Sequence, residues 1–310
     1  MRAVFVDANA ALRTLAERIG PRTVPELAIG FGAPGPDPST LPSLLGGAGI
    51  AVIDHTALPI DVARRCVGLR DVVFLGTGAR SYMDPEALAG IGISVHVIKG
   101  YGDTAVAECT IGLLFAAARG FAAMDSAMRR GQWRRSEGMQ LGGKTLGLIG
   151  FGGIAAEVAR LAQGLGMKVL AWNRSARAFP GVEFVAVERL LAESDAVSMH
   201  LLLTDETRGF LTRERIAALK PGVLLVNTAR GALVDEAAMI DALETGRIGH
   251  AGLDVFETEP LPAGHPLAAL DNVTLSAHSG FRTPEANERL VEAAFAHCRR
   301  IVDDTARSPA

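Results

Sequence analysis

The chain has 310 residues, of which 49% are hydrophobic and 21% charged, and its formal net charge is −3. This length allows two domains with ample core, the negative charge argues against nucleic acid as the main partner, and no apolar run is long enough to span a membrane. Three scattered cysteines without metal-ligand spacing indicate a reduced, cytoplasmic protein without a metal site.

Short apolar strands alternate with short helices over the first hundred residues. The pattern predicts strands at 3–6, 26–30, 50–53, 72–75 and 93–98, with helices at 10–19, 60–66 and 85–89. Such alternation predicts a parallel sheet covered on both faces, in a flavodoxin-like α/β domain. Gly76, Thr77 and Gly78 form a small loop after the fourth strand, at the sheet edge where open α/β domains bind ligands.

A single long helix is predicted at 104–128, and a basic stretch containing Trp133 follows it. Charged runs are usually solvated, whereas an exposed aromatic residue is typical of a protein contact. Both interpretations of Trp133 remain open from the sequence.

The stretch at 145–175 has the pattern of a dinucleotide-binding βαβ unit. A strand at 145–149 leads into GFGGIA, which fits G-x-G-x-x-A, and a helix and a second strand at 168–172 follow. Gly150 permits a tight turn, and Gly152 lets the backbone approach a pyrophosphate. The helix that follows offers free N–H groups to the anion. The unit therefore predicts dinucleotide binding.

The end of the second strand predicts which dinucleotide is bound. An NAD site usually has a carboxylate here, which accepts hydrogen bonds from the ribose. This chain has Asn173, Arg174 and Ser175 instead, and the last two could bind a 2′-phosphate. The sequence therefore favours NADP. The alternative is NAD, with Arg174 as a solvated charge and Asn173 bonded to the ribose.

The alternation resumes after the βαβ unit. The pattern predicts strands at 183–187, 196–199, 223–226, 248–253 and 273–275, with helices at 188–192, 210–219 and 236–243. A last helix at 284–300 lies too far along the chain to belong to this sheet. We expect it to cross back onto the first domain.

Three strand ends in the second half carry polar groups suited to carbonyl–alcohol chemistry. Arg230, Glu259 and His278 each follow an apolar strand, so they should converge at one edge of the sheet. An arginine can bind a carboxylate through two hydrogen bonds, and a histidine can exchange a proton with a carbonyl oxygen. A glutamate paired with that histidine would favour the imidazolium, which is the form that donates a proton.

The motifs around these residues resemble the D-isomer-specific 2-hydroxyacid dehydrogenase family. The resemblance is carried by LKPGVLLVNTARGALVDEAAMIDAL, HAGLDVFETEPLP, HPLAALDNVTLSAH and SGFRTPEA, and it extends from about Val106 to Thr283. It implies a Rossmann-like NAD(P)-binding domain at 101–283 and a discontinuous substrate domain at 1–100 and 284–310. It also implies a homodimer, formed through an arm at about 105–142.

The resemblance further implies the roles of individual residues. Arg230 would bind the substrate carboxylate, His278 would be the general acid and base, and Glu259 would be its partner. The other implied contacts are those of Gly153 and Ile154 with the pyrophosphate, Thr228 and Ala229 with the nicotinamide ribose, Asp254 with the carboxamide, Gly280 on the cofactor side, and Gly76, Thr77 and Gly78 with the substrate carboxylate.

The predicted activity is hydride transfer between NADP or NAD and the second carbon of a small 2-keto or D-2-hydroxy acid. The substrate loop departs from the family pattern at Arg80 and Tyr82, which are candidates for side-chain specificity unless the loop is simply anchored differently. A non-catalytic NAD(P)-binding regulator, such as a corepressor, is the alternative from another class, and formate oxidation is a second enzymatic one. The retained Arg230, Glu259 and His278 favour a 2-keto acid reductase.

Overall fold

The computed structural model describes residues 1–175 and 177–307, and the chain divides into two compact units. The first unit comprises Met1–Gly102 and the chain from Thr283 onward, and the second comprises Asp103–Arg282. Each unit has its own parallel sheet and its own hydrophobic core. The expected α/β class with two domains is confirmed.

The first unit is a five-stranded parallel sheet in the order β2-β1-β3-β4-β5, which is the flavodoxin-like order. Its strands are β1 (Arg2–Phe5), β2 (Ala28–Phe31), β3 (Ile50–Ile53), β4 (Asp71–Phe74) and β5 (Ser94–Val97), and its helices are α1 (Ala10–Thr23), α2 (Leu41–Leu45), α3 (Ile60–Ala63), α4 (Pro85–Ala89) and α11 (Pro284–Arg307). Helix α11 packs on α1, and its buried Phe295 lies 5.6 Å from the ring of Phe5. The last helix of the chain therefore completes the core of the first unit.

The second unit is a seven-stranded parallel sheet in the order β12-β11-β10-β9-β6-β7-β8. Its elements are α5 (Asp103–Arg119), α6 (Phe121–Arg129), β6 (Thr145–Ile149), α7 (Gly153–Gly164), β7 (Lys168–Trp172), β8 (Val182–Phe184), α8 (Val187–Glu193), β9 (Ala196–Met199), α9 (Arg213–Ala217), β10 (Val223–Asn227), α10 (Glu236–Glu244), β11 (Ile248–Leu253) and β12 (Val273–Leu275). The strand order reverses between β6 and β9, and doubly wound sheets bind dinucleotides at that point.

The prediction of one long helix at 104–128 is wrong. Helices α5 and α6 are separate and bend by 68°, because Gly120 adopts a left-handed conformation with φ of +63°. Glycine has no Cβ and reaches this region without strain. Within 1–175 and 177–307 no single helix has the length and apolar composition to cross a membrane. The bent α5–α6 pair passes that test only when the two are counted together.

Several predicted boundaries also change. Helix α9 is shorter than 210–219, because Leu211 pairs with Val234 in a parallel bridge and Thr212 caps the helix by accepting from the N–H of Arg215. Helix α3 ends at Ala63, and β8 ends at Phe184 instead of residue 187, where α8 begins. Helix α2 was not predicted. Helix α11 continues past 300 to Arg307, since no glycine or proline lies between its first residue and Arg307.

Candidate active site

A histidine–carboxylate pair forms at the carboxyl ends of β11 and β12. The Nδ1 atom of His278 lies 2.7 Å from Oε2 of Glu259, and the N–H of Phe256 donates to Oε1 at 3.0 Å. The side chains of His278 and Glu259 are 29% and 34% exposed, so a small molecule can reach them. The sequence prediction that these two residues pair is consistent with this geometry.

The charge state of Glu259 depends on opposing effects. Burial raises the pKa of its carboxyl, whereas the hydrogen bonds from His278 and Phe256 and the positive charges of His278 and Arg230 lower it. The lowering effects are larger together, and the pKa lies below the usual value of 4.5. The carboxylate therefore stays ionised near neutral pH.

Asp254, at the end of β11, holds the loop that carries His278. Its buried carboxylate accepts hydrogen bonds from the hydroxyl of Ser276 at 2.5 Å and from the N–H groups of Ser279 and Gly280, both at 2.9 Å. Its carbonyl accepts from the N–H of His278 at 2.7 Å. His278 has φ of +47°, which is uncommon for a residue with a side chain, and these bonds fix that conformation.

Arg230 follows β10 in an extended conformation and lies close to the loop that carries Glu259. The buried Asn227 side chain accepts from the N–H of Ala229 at 3.0 Å and donates to the carbonyl of Arg230 at 2.9 Å. The guanidinium of Arg230 donates to the Ala229 carbonyl at 2.6 Å. A Cβ at Gly231 would lie only 1.9 Å from the backbone carbon of Phe256. The close approach at Gly231 therefore brings the two loops together.

Thr228 is fixed from the side of helix α5. Its hydroxyl lies 2.8 Å from that of Thr110, and the Thr110 hydroxyl also lies 2.8 Å from the carbonyl of Val106. Both threonines are buried. This contact ties α5 to the end of β10, just before Arg230.

The glycine motif has the geometry that a pyrophosphate requires. Gly150 has φ of +91° and its backbone lies against that of His200, so the turn leaves no room for a side chain. A Cβ at Gly152 would meet no atom within 4 Å, so open space lies where helix α7 begins. The N–H groups of Gly153 and Ile154 belong to the first turn, where helical N–H groups lack intrahelical acceptors. A dinucleotide pyrophosphate fits this arrangement.

The residues predicted to select the cofactor make their own contacts. The Asn173 side chain accepts from the N–H of Phe151 at 3.2 Å and donates to the Ser175 carbonyl at 2.9 Å. Arg174 forms an exposed ion pair with Glu206 at 2.8 Å. No carboxylate occupies the end of β7 itself, but Glu206 brings one to Arg174 from the loop after β9.

In the first unit, the loop Gly76–Gly78 follows β4. Among the described residues, the N–H groups of Thr77 and Gly78 find no acceptor in the protein, so they are available to an anion. Arg80 points to Glu86 of α4 and forms an ion pair with it. The Tyr82 ring packs between Phe74 and His55, at 5.5 and 5.6 Å between ring centroids. The Tyr82 ring therefore belongs to an aromatic cluster, whereas the Arg80 charge is directed toward α4.

Sequence reasoning missed four residues of these sites. Glu206 lies far in sequence from Arg174, and His55 lies far in sequence from Tyr82, so no local motif indicates either contact. Asp103 places a carboxylate beside Gly153 at the start of α7; burial, and then the charge of Glu157, raises the pKa of that carboxyl. Asp7 comes two residues after β1, and its carboxylate accepts hydrogen bonds from the N–H groups of residues 54–56 in the loop after β3, which no local signal indicates.

Known proteins similar to this chain are found by sequence and by structure. The family model described as D-isomer specific 2-hydroxyacid dehydrogenase, NAD binding domain, matches residues 111–280. A hydroxypyruvate reductase of Thermotoga maritima is 38% identical over 248 residues, which are 78% of this chain and 80% of that protein. The crystal structure of the TT0316 protein of Thermus thermophilus has a TM-score of 0.87 at 35% identity, covering 98% of this chain and 97% of that one. An acyclic imino acid reductase, Bsp5, in complex with NADPH and D-Arg has a TM-score of 0.85 at 27% identity, covering 100% and 99%.

Proposed function

Because this chain belongs to the D-isomer-specific 2-hydroxyacid dehydrogenase family, we propose that it reduces a small 2-keto acid to the D-2-hydroxy acid with a nicotinamide cofactor. The observation that carries the proposal is the pair formed by His278 and Glu259 at 2.7 Å, in the same unit as Arg230 and the glycine motif. When bound, the cofactor supplies the hydride that reaches the second carbon.

His278 is the proton donor in this proposal. The Nδ1 atom faces Glu259, so Nε2 is the nitrogen that gives a proton to the oxygen of the reduced carbonyl. The ionised Glu259 fixes the orientation of the ring through its contact with Nδ1. In the reverse direction the same nitrogen accepts the proton of the hydroxyl.

Arg230 and the Gly76–Gly78 loop are the proposed carboxylate-binding groups. A guanidinium can bind a carboxylate through two parallel hydrogen bonds, and it also polarises a neighbouring carbonyl. The N–H groups of Thr77 and Gly78, in the first unit, have no acceptor in the described protein and suit a carboxylate. A substrate fixed in this way presents its second carbon in one orientation, and positioning supplies much of the rate.

NADP is the proposed cofactor in preference to NAD. The end of β7 carries Asn173, Arg174 and Ser175 and has no carboxylate of its own. Arg174 is exposed, and a dianionic phosphate is a stronger partner for it than the single carboxylate of Glu206. The similar imino acid reductase was solved with NADPH, which supports the same preference here.

A homodimer through the arm at about 105–142 is also proposed. Helix α6 and the segment after it expose large apolar side chains, with Phe121 51% and Trp133 76% exposed. Exposed aromatic residues clustered on one segment are typical of interfaces. Light scattering should therefore give twice the mass of the 32.5 kDa chain. The variant Trp133→Glu should shift that mass toward one chain, and a monomeric native protein would exclude this interface.

The experiment that tests the function follows the absorbance of NADPH and NADH with glyoxylate, hydroxypyruvate, pyruvate, phenylpyruvate and 3-phosphohydroxypyruvate. We expect oxidation of the cofactor with at least one 2-keto acid, faster with NADPH. Faster turnover with NADH would remove the cofactor preference and keep the reaction. A protein that binds cofactor tightly and reduces none of these acids would instead be a regulator.

A further inference from the structure

The carboxylate of Asp103 lies against the first residue of α7. Gly153 begins that helix, and a Cβ added to it would lie 1.8 Å from Oδ2 of Asp103. The G-x-G-x-x-A pattern does not require a glycine here, because its two glycines are Gly150 and Gly152. The space that Asp103 occupies therefore explains why this position has no side chain. Asp103 is itself the first residue of α5, which packs along α7 in the same unit.

This carboxylate is unusual because it has no partner. Across the part of the chain that the structure describes, it accepts no hydrogen bond and forms no ion pair. A carboxylate at the start of a helix is normally ionised and stabilised by the free N–H groups there. Here burial raises the pKa of Asp103, and the charge of Glu157, four residues after Gly153, raises it further. The neutral form is thus favoured more than at an ordinary aspartate.

The charges near helix α5 do not offset this effect. The charged and titratable groups on α5 and on the elements packed against it include Glu108 of α5, Glu157 and Arg160 of α7, Arg230 after β10, Asp254 after β11 and His278 after β12. Among them, Glu157 is the one whose charge acts on the pKa of Asp103. Its own ion pair with Arg160, at 3.0 Å, lies on a largely exposed face of α7.

We propose that Asp103 links cofactor binding to the uptake of one proton. The pyrophosphate brings two negative charges to the N–H groups of Gly153 and Ile154, next to this carboxylate. An ionised Asp103 repels the pyrophosphate, whereas a protonated one can donate its O–H to a phosphate oxygen. Asp103 therefore takes a proton from water as the dinucleotide binds. This inference rests on the proposed function, because it uses the cofactor site, and it adds the regulation of that site by pH.

The direction of the pH dependence follows from this linkage. In the free protein, Asp103 is protonated below its raised pKa, and the phosphates of a bound cofactor raise that pKa further. The affinity is therefore greatest in acid, falls as the pH rises through the pKa of the free protein, and becomes constant above the pKa of the complex. Charges a few ångströms apart near a protein surface can change an affinity about tenfold.

The test titrates ADP-ribose into the native protein by calorimetry between pH 5 and pH 9. ADP-ribose carries the pyrophosphate but neither the nicotinamide nor a 2′-phosphate, so groups at the reacting end of the site do not contribute. We expect its affinity to fall about tenfold over this range. Titrations in two buffers with different heats of ionisation should show the uptake of up to one proton, at the pH values where the affinity changes.

Two substitutions of Asp103 separate its charge from its shape. Asp103→Asn resembles the protonated acid, because its amide can donate to a phosphate oxygen. Over the whole range it should bind ADP-ribose as tightly as the native protein does at pH 5, without proton uptake. Asp103→Ala lacks both the charge and the donor, so its affinity should be independent of pH but lower than that of Asp103→Asn.

Two variants at other positions complete the comparison. Glu157→Gln removes the charge that raises the pKa of Asp103, and should move the pH dependence to lower pH. Asp241→Asn is the matched control, because it removes an exposed carboxylate that pairs with Arg213 at 2.8 Å on α10 in the same unit. It should keep the native pH dependence.

Three results would overturn the inference. They are an equal affinity of the native protein at pH 5 and pH 9, a native pH dependence in Asp103→Asn, and a lower affinity of Asp103→Asn than of the native protein at every pH. In each case ADP-ribose still binds and the proposed function stands. A native protein that binds no ADP-ribose at any pH would remove the cofactor site, and the proposed function and the inference would fail together.

Discussion

At the scale of single residues, variants of the His278–Glu259 pair should impair proton transfer and leave substrate binding almost unchanged. His278→Ala removes the proton donor, and we expect kcat to fall about 10²- to 10⁴-fold while KM for the keto acid changes little. Glu259→Gln keeps a hydrogen-bond acceptor for Phe256 but removes the charge, so the loss in kcat should be smaller. Steady-state kinetics with the preferred acid measure both.

A matched control for these variants is the binding of the cofactor, which His278 does not contact in our proposal. The dissociation constant of NADPH should therefore be unchanged in both. Undiminished turnover of His278→Ala would contradict the assignment of His278. A loss of NADPH binding would indicate that the variant has disturbed the loop held by Asp254.

The ion pair of Arg174 and Glu206 gives a prediction about cofactor choice. Glu206→Gln frees Arg174 and removes a negative charge that repels the 2′-phosphate, so NADPH should bind more tightly. Both side chains are largely exposed, and such pairs contribute only about 0–1 kcal/mol, so we expect a gain of about two- to fivefold. Titration of cofactor fluorescence should show this gain for NADPH and none for NADH.

The control for Glu206→Gln is Glu193→Gln. It breaks an exposed ion pair with Arg189 in the same unit, away from the glycine motif, and should leave both cofactors unaffected. Equal effects of Glu206→Gln on NADPH and NADH would show that Arg174 does not meet the 2′-phosphate.

At the scale of elements, the approach of the loops after β10 and β11 depends on Gly231. A Cβ in Gly231→Ala would lie 1.9 Å from the backbone of Phe256, which cannot rotate away as a side chain could. The loops must separate, at a cost of about 1–3 kcal/mol. Because a displacement of about 1 Å can lower the rate 10²-fold, kcat/KM should fall by about that factor.

Gly164→Ala is the control, since its Cβ would meet nothing within 4 Å in α7, and it should keep activity and stability. Equal behaviour of the two variants would exclude this role for Gly231.

The sequence predicted which strands and helices form more accurately than it predicted where they end and which side chains pair. Periodicity and glycine spacing identify every strand of both sheets and the GFGGIA turn, because these signals are local. The break at Gly120 was missed because an isolated glycine inside a helical pattern is often tolerated. The pairing of Glu259 with His278 was expected from the resemblance and from shared strand ends. The pairing of Arg174 with Glu206 was not, because side-chain direction and the course of the loop after β9 decide it, and neither leaves a periodic signal.

At the scale of the whole molecule, buried histidines should make the second unit sensitive to acid. Burial lowers the pKa of His250 from 6.5 to about 4, and its Nε2 lies 3.0 Å from the Thr274 hydroxyl. Between these two pH values the unfolded chain binds a proton that the folded chain does not, so stability falls as the pH decreases from 7 toward 4. Burial likewise lowers the pKa of His200 to about 4, which adds to the effect.

Replacing His250 should therefore reduce the loss of stability in acid. Linkage gives a contribution of about 1–2 kcal/mol from one such histidine between pH 7 and pH 5. His250→Gln can still bond Thr274 and does not titrate. Between pH 7 and pH 5, its free energy of unfolding should therefore decrease by about 1–2 kcal/mol less than that of the native protein. Thr274→Val is the matched control, because it removes the hydrogen bond at both pH values but leaves the buried imidazole, and the acid loss should persist. If urea unfolding at pH 7 and pH 5 showed the same decrease for His250→Gln as for the native protein, the acid sensitivity would have to come from other groups.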